Sequence, residues 1–314
     1  MNICKKKIAF ILLLITPFWS FASEDKAIEE FTLNDQQILL AFEILDTLES
    51  NHLIKKDYAS IRHESFEVFI DRLDPNKTIF TSKEIDSLLS HADGNIDLEK
   101  DLELAFKLFN LYVSRYQERY QRQIDFLNTA QLESFDTPRA LLRDLSEIER
   151  LNSLDDLNAL WIDLSTNDVI QLMLSGNTLE EAITKTIKRM DNQLNYFLQT
   201  RNEDVFNIFV NAIASIYGPH TNYMSPKNSE DFDINMSLSL EGIGALLSSD
   251  GLYTSISSLV PGGPAEKTES LKPKDKIIGV GQDEFGEIID VIGWRIDDVV
   301  DLIRGPKGSK VRLE

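Results

Sequence analysis

Ser239-Leu240-Glu241-Gly242-Ile243-Gly244-Ala245 runs directly into a short apolar stretch that ends at Leu247. Two glycines one residue apart let consecutive backbone amides turn toward a common point, the geometry of an anion-binding nest. An apolar strand that follows such a loop can accept an added peptide strand through main-chain pairing, with the nest holding that peptide's terminal carboxylate. Gly242, Ile243, Gly244 and Ala245 are therefore the candidate carboxylate-binding residues. Read without its surroundings, the same stretch is equally a plain glycine turn between two strands, so the flanking sequence has to decide.

Downstream, short apolar or alternating runs at 244–247, 253–260, 276–280 and 310–313 are separated by Asp250-Gly251, Pro261-Gly262-Gly263-Pro264 and Gly281-Gln282-Asp283. These are strand and turn signals. A further strand is expected at 236–240. One helix interrupts the series, from about 292 to 304, stopped by Gly305-Pro306. Asp297 and Asp298 in its first half read as solvated charges that suit a helix start. Ile296, Val299 and Ile303 fall on one face of that helix, and with Leu247 they are the candidate walls of a peptide groove. The expected product is a small α+β domain over 232–314.

Upstream the character is different. From 23 to 217 glycine is scarce and apolar residues recur at helical spacing. Phe66, Phe69, Ile70 and Leu73 mark one helix, stopped at Asp74-Pro75-Asn76 because proline disfavours helical geometry in the residue before it. Thr81 followed by Glu84 is a capping box that opens the next helix. Leu102, Phe106, Phe109, Val113, Tyr116, Tyr120, Ile124 and Leu127 form the longest stripe, with steps of three and four. Leu157, Leu160, Trp161 and Leu164, then 179–198, then Val205 to Ile216, supply further helices. Such stripes predict a packed all-α domain over 23–217. The stretch 218–231, with Gly218-Pro219-His220 and Ser225-Pro226, reads as a linker.

The chain has 314 residues, with 32 Lys and Arg against 52 Asp and Glu, a formal charge of −20. That balance excludes a nucleic-acid binder, which needs clustered cations for the phosphate backbone. A single cysteine, Cys4, excludes an internal disulfide and a cysteine-based metal centre. His52, His63, His91 and His220 have no metal-site spacing. Gly242-Ile243-Gly244 starts like a dinucleotide fingerprint, but Leu247 stands where the third glycine belongs. Residues 305–310 lack the Gly-Lys-Ser/Thr order of a phosphate loop, and no GxSxG elbow occurs. No catalytic residue, cofactor or metal is expected from the sequence. Lys5, Lys6 and Lys7, an apolar run over 8–15, and Ser20-Phe21-Ala22 have the layout of a cleavable signal peptide ending at Ala22, so export is expected.

The order of the motifs then carries a resemblance. Gly242-Ile243-Gly244-Ala245, Pro261-Gly262-Gly263-Pro264-Ala265, Lys274-Asp275-Lys276-Ile277, Asp297-Asp298-Val299-Val300 and Gly305-Pro306-Lys307-Gly308-Ser309 resemble the PDZ domain of bacterial processing proteases. With Pro219-His220-Thr221-Asn222-Tyr223-Met224-Ser225-Pro226, Leu157-Asn158-Ala159-Leu160-Trp161 and Asn202-Glu203-Asp204-Val205-Phe206, nearly the whole chain beyond the leader resembles the tail-specific, or C-terminal processing, protease family. Gly218 departs from the family, which usually has Asp before Pro-His, and a looser joint is the consequence expected of it. The resemblance implies a periplasmic serine endopeptidase with a Ser/Lys dyad that recognises apolar C-terminal tails of protein substrates through the PDZ domain, with a periplasmic adaptor as a further partner. It places the dyad in a domain after the PDZ domain. Because 310–314 alternate like a strand with no turn or partner to follow, the sequence reads as the helical and PDZ portion of a longer protease. A stand-alone PDZ-type peptide-binding adaptor without enzymatic activity is the alternative.

Overall fold

The computed structural model describes residues 30–92, 94–135, 141, 144–146, 148–236, 242–306 and 308–314. The stretch read as a signal peptide lies outside the described residues, as do Ser239, Leu240 and Glu241.

Among the described residues eight α-helices come first: α1 (Asp35–Asn51), α2 (Tyr58–Leu73), α3 (Ser82–Ala92), α4 (Leu98–Thr129), α5 (Leu154–Leu174), α6 (Leu179–Phe197), α7 (Asn202–Tyr217) and α8 (Pro226–Met236). Several begin where a side chain satisfies free amides. Asn34 and Gln37 form a capping box at α1, and Thr178 and Glu181 form another at α6. The expected Thr81–Glu84 box is present at α3, with amide-to-side-chain bonds of 2.9 and 3.3 Å.

α4 organises this region. At about 1.5 Å per residue its 32 residues span roughly 48 Å, long enough to serve two cores. Its first half packs Leu102, Phe106 and Phe109 among α1, α2 and α7, where the Phe209 ring lies 5.1 and 5.2 Å from those of Phe66 and Phe69. Its second half buries Tyr120 and Leu127 against Val169 of α5 and Met190 of α6. Buried polar groups pin the helices together. Arg62 grips Asp101 through two bonds of 2.7 Å, and the Tyr58 hydroxyl donates to the same carboxylate at 2.8 Å. Burial foremost, and then the Asp101 charge, push the Tyr58 phenol far up. Asp74 does more than end α2: its carboxylate accepts the amides of Thr78, Ile79 and Phe80 and the Arg150 guanidinium.

The C-terminal region is a small α+β unit. β1 (Ala245–Ser249), β2 (Thr254–Leu259) and β3 (Lys276–Ile277) form one antiparallel sheet in that order, and β5 (Ile288–Asp290), β4 (Gly279–Gln282) and β6 (Val311–Leu313) form the other. α9 (Pro264–Lys267) and α10 (Ile296–Ile303) pack beside them. Ile256, Ile277, Val280, Val291, Val299 and Ile303 are its core.

Five local expectations need correction. The stretch read as a linker contains the first half of α8, and residue 236, read as opening a strand, closes that helix. The single run 276–280 is divided between the two sheets at Ile278, whose amide donates to the Glu314 carbonyl and whose carbonyl accepts from Val291. α10 begins at Ile296 and not near 292, because Gly293 has φ 78° and the 291–294 segment closes as a turn. Two elements were not foreseen, α9 after the Gly262-Gly263 turn and the edge strand β5. Finally β6 does have a partner: Val280 faces Leu313 and Gln282 faces Val311 across an antiparallel pair.

Candidate functional site

The Gly242–Ala245 loop is stapled to the turn that starts α9. The Ile243 carbonyl accepts the Ala265 amide at 2.7 Å and the Gly244 carbonyl accepts the Val260 amide at 2.8 Å. Both carbonyls are thus committed to the protein, while neither the Ile243 nor the Gly244 amide donates to another described residue. Gly244 sits at φ 74°, and a Cβ there would lie 3.2 Å from Gly263 Cα and Pro264 Cδ. Glycine is therefore needed at 244 for backbone conformation and for close packing together, and the Pro261-Gly262-Gly263-Pro264 motif is the other half of that contact. The sequence offered both motifs but no sign that they touch.

From Ala245 the chain enters β1, which lies at one end of the three-strand order and pairs only with β2 among the described strands. Its register slips between Leu246 and Leu247, a bulge that re-aims the strand. Leu246 is 60% exposed, whereas Ala245 and Leu247 pack partly on the core. No described strand pairs with the other edge of β1.

The residues of α10 are placed differently from what the helical periodicity implied. Val299 is fully buried and Ile303 is 5% exposed, so both belong to the core. Half-buried Val300, one turn on from Ile296, was not singled out from the sequence. Ile296 itself lines a cavity of about 330 Å³ between α10 and the helical region, together with Phe109, Tyr112 and Phe197.

Charge ties the two regions together at this helix. Arg295 donates to Asp204 at 2.5 Å, Arg201 pairs with Asp298, and Lys227 pairs with Asp301. Asp298 is thus a partner across the joint and not the freely solvated charge expected of it. Gln199 adds bonds to the carbonyls of Gly251 at 3.1 Å and Gly293 at 3.0 Å. Gly251 approaches α6 so closely that a Cβ would meet the Asn192 carbonyl at 2.6 Å. Around Gly218, which is extended at φ 169°, the chain is held by Asn211, whose amide side chain engages both backbone polar groups of Tyr223, and by the His52 contact to Thr221 at 3.0 Å. Among the described residues no group of three or more His, Cys, Asp or Glu is arranged to hold a metal ion.

The family model "Tail specific protease N-terminal domain" matches residues 44–227, and a PDZ domain model matches residues 231–314. The chain is 38% identical over 257 residues to the tail-specific protease of Haemophilus influenzae, a match that covers 79% of this chain and 36% of that protein. It is 32% identical over 159 residues to the carboxy-terminal processing protease CtpA of Bacillus subtilis, covering 50% of this chain and 33% of that one. The matched regions therefore span about a third of the length of these relatives. A crystal structure of the PDZ domain of a carboxy-terminal protease from Vibrio cholerae, in complex with peptide, is 62% identical; the match covers 24% of this chain and 76% of that one, with a TM-score of 0.24.

Proposed function

The chain belongs to the tail-specific protease family, and on that premise we propose that it recognises free, apolar C-termini of exported proteins for a serine endopeptidase that hydrolyses them. The observation that carries the proposal is the loop at the open edge of β1. The Ile243 and Gly244 carbonyls are spent on Ala265 and Val260, so what the backbone of these two residues can offer a ligand is amide donors. A peptide laid antiparallel to β1 brings its carboxylate to those amides and extends the sheet by one strand. Leu247 and Val300, with the supporting Val299 and Ile303, give the groove an apolar lining suited to an apolar last residue, while Ile296 faces the joint. The protein's formal charge of −20 offers no general attraction for an anion, so affinity for a carboxylate has to come from local donors.

Recognition, and not bond cleavage, is the role assigned to residues 242–314, since their sequence carries no activated nucleophile with a positioned base. The periplasm is the proposed place of action, on the strength of the signal-like 1–22 stretch.

The test is calorimetric binding of a peptide with an apolar end, offered as free acid and as amide. Amidation removes the charge and puts a donor where an acceptor was. A loss of about 1.5–3 kcal/mol is expected, roughly tenfold to a hundredfold in affinity. Equal affinity for acid and amide would refute the carboxylate reading.

A further inference from the structure

The cavity at the joint lies near the turn toward which a tail added to β1 would run. With its carboxylate at the Ala245 end of β1, an added antiparallel strand runs its upstream residues toward Ser249 and the turn at Gly251. That turn abuts α6 at Asn192. The Gly293 amide, just ahead of α10, donates to Leu252 at 2.7 Å. The turn after β1, the start of α10 and the end of α6 therefore converge, and beside them a cavity of about 330 Å³, at the low end of ordinary ligand sites, opens between the helical region and the start of α10. Its lining is aromatic on one side, with the Tyr112 ring 5.4 Å from that of Phe197 and 5.8 Å from that of Phe109. Ile208 and Ile296 complete the apolar surface.

Its charges are unevenly matched. Asp204 and Asp297 are both held by Arg295, at 2.5 and 3.4 Å. Arg72, at the end of α2, also lines the cavity, yet among the described residues it makes no ion pair and only one long bond, 3.4 Å to the Ile208 carbonyl. In a chain with 52 acids and 32 bases, an arginine without a carboxylate at the edge of an aromatic cavity is a charge left for a ligand.

We infer that this cavity is a second recognition site for the same tail, taking an aromatic or branched apolar side chain with an acidic residue next to it, paired to Arg72. The inference rests on the tail-binding proposal above and adds a distance to it. A strand advances about 3.3 Å per residue, so the five residues of β1 account for roughly 17 Å. The side chain that reaches the cavity is about the sixth from the C-terminus. Substrates would then be chosen by two features of their tails, the apolar end and an aromatic–acidic pair upstream.

The experiment uses the whole 314-residue chain and ten-residue peptides with one apolar free-acid end. A Phe-Glu pair is moved in turn through the fifth to eighth positions from the end and compared with Ala-Ala and Phe-Lys. One Phe-Glu position should bind about tenfold more tightly than Ala-Ala. Arg72→Glu, at an exposed helix end, should reverse the preference to Phe-Lys while leaving a four-residue free-acid tail unaffected. If Phe-Glu and Ala-Ala bind equally at all four positions while acid still exceeds amide, the second site is overturned and the carboxylate site stands. If acid and amide bind equally, the tail-binding proposal falls and this inference falls with it. A loss in Arg72→Glu that Phe-Lys does not restore also overturns the pairing.

Discussion

Gly244 shows how one residue can serve recognition through packing. Its φ of 74° and its approach to Gly263 and Pro264 allow the 242–245 loop to lie against the start of α9. Gly244→Ala should cost about 1–3 kcal/mol, from a left-handed conformation that a side chain disfavours and a contact at 3.2 Å. Denaturant unfolding followed at Trp294 checks this, since Trp161 reports on the helical region. A change of peptide affinity in that variant would mix loop damage with loss of donors, so acid-versus-amide peptides remain the cleaner probe of the nest. Glu84 is a second residue with a clear energetic signature. Partial burial by itself would raise its carboxyl, but the Thr81 amide, the Arg115 guanidinium and the Thr81 hydroxyl outweigh burial and hold it below its ordinary value. A carboxyl depressed on folding stabilises the fold above its unfolded pKa of about 4.3 and stops doing so as pH falls through the lower folded value. Glu84→Gln should therefore lower stability by about 1 kcal/mol at neutral pH. Unfolding curves of the two proteins should converge as the pH is lowered from about 5 to 3.

At the scale of elements, α4 and α10 have comparable jobs, since each faces two environments. α4 carries one apolar stripe into two cores, and α5 is fixed to it by Trp161, which is fully buried. The indole donates to the Thr78 carbonyl at 2.6 Å, and the Trp161 carbonyl accepts from Gln123 at 2.8 Å. Trp161→Ala should cost about 3–5 kcal/mol through cavity formation and an orphaned acceptor, read as a fall in the helical unfolding transition. α10 buries Val299 and Ile303 in the α+β core and turns Ile296 to the helical region. Arg295 holds its first turn to Asp204. Arg295→Ala leaves that carboxylate partly buried without its cation. Hydrogen exchange should speed up at the Leu252 and Gly293 amides while amides in the centre of α4 keep their protection.

For the whole molecule, the arrangement of the two regions rests on few contacts and several charges. Arg295–Asp204, Arg201–Asp298 and Lys227–Asp301 bridge them, and the last two pairs are largely exposed. Exposed pairs contribute about 0–1 kcal/mol each and weaken as salt shortens the Debye length. The Gln199 bonds and the Gly251 approach to α6 are insensitive to salt. Small-angle scattering from about 0.05 to 1 M salt should therefore show a modest expansion in the native protein. Gln199→Ala should enlarge that expansion. An unchanged scattering profile in both would show that the ionic bridges do not hold the joint.

What the sequence settled by itself was whatever short-range chemistry decides. The helical stripes, the Thr81–Glu84 box and the stop at Asp74-Pro75 depend on neighbours three or four residues away, and each is present in the structure. The order of glycine and proline motifs after Tyr217 was enough for the α+β unit and its family. Tertiary structure decided everything that rests on surfaces meeting. A period of 3.6 residues places Ile296, Val299 and Ile303 on one side of a helix but cannot say that two of them face a core and one a joint. The division of 276–280 between two sheets follows from hydrogen bonds to Glu314 and Val291, which are distant in sequence. Asp298 is a bridge only because Arg201 is brought to it from 97 residues away. That Arg72 makes no ion pair among the described residues could not be told from the sequence, because ion pairing is a property of positions in space.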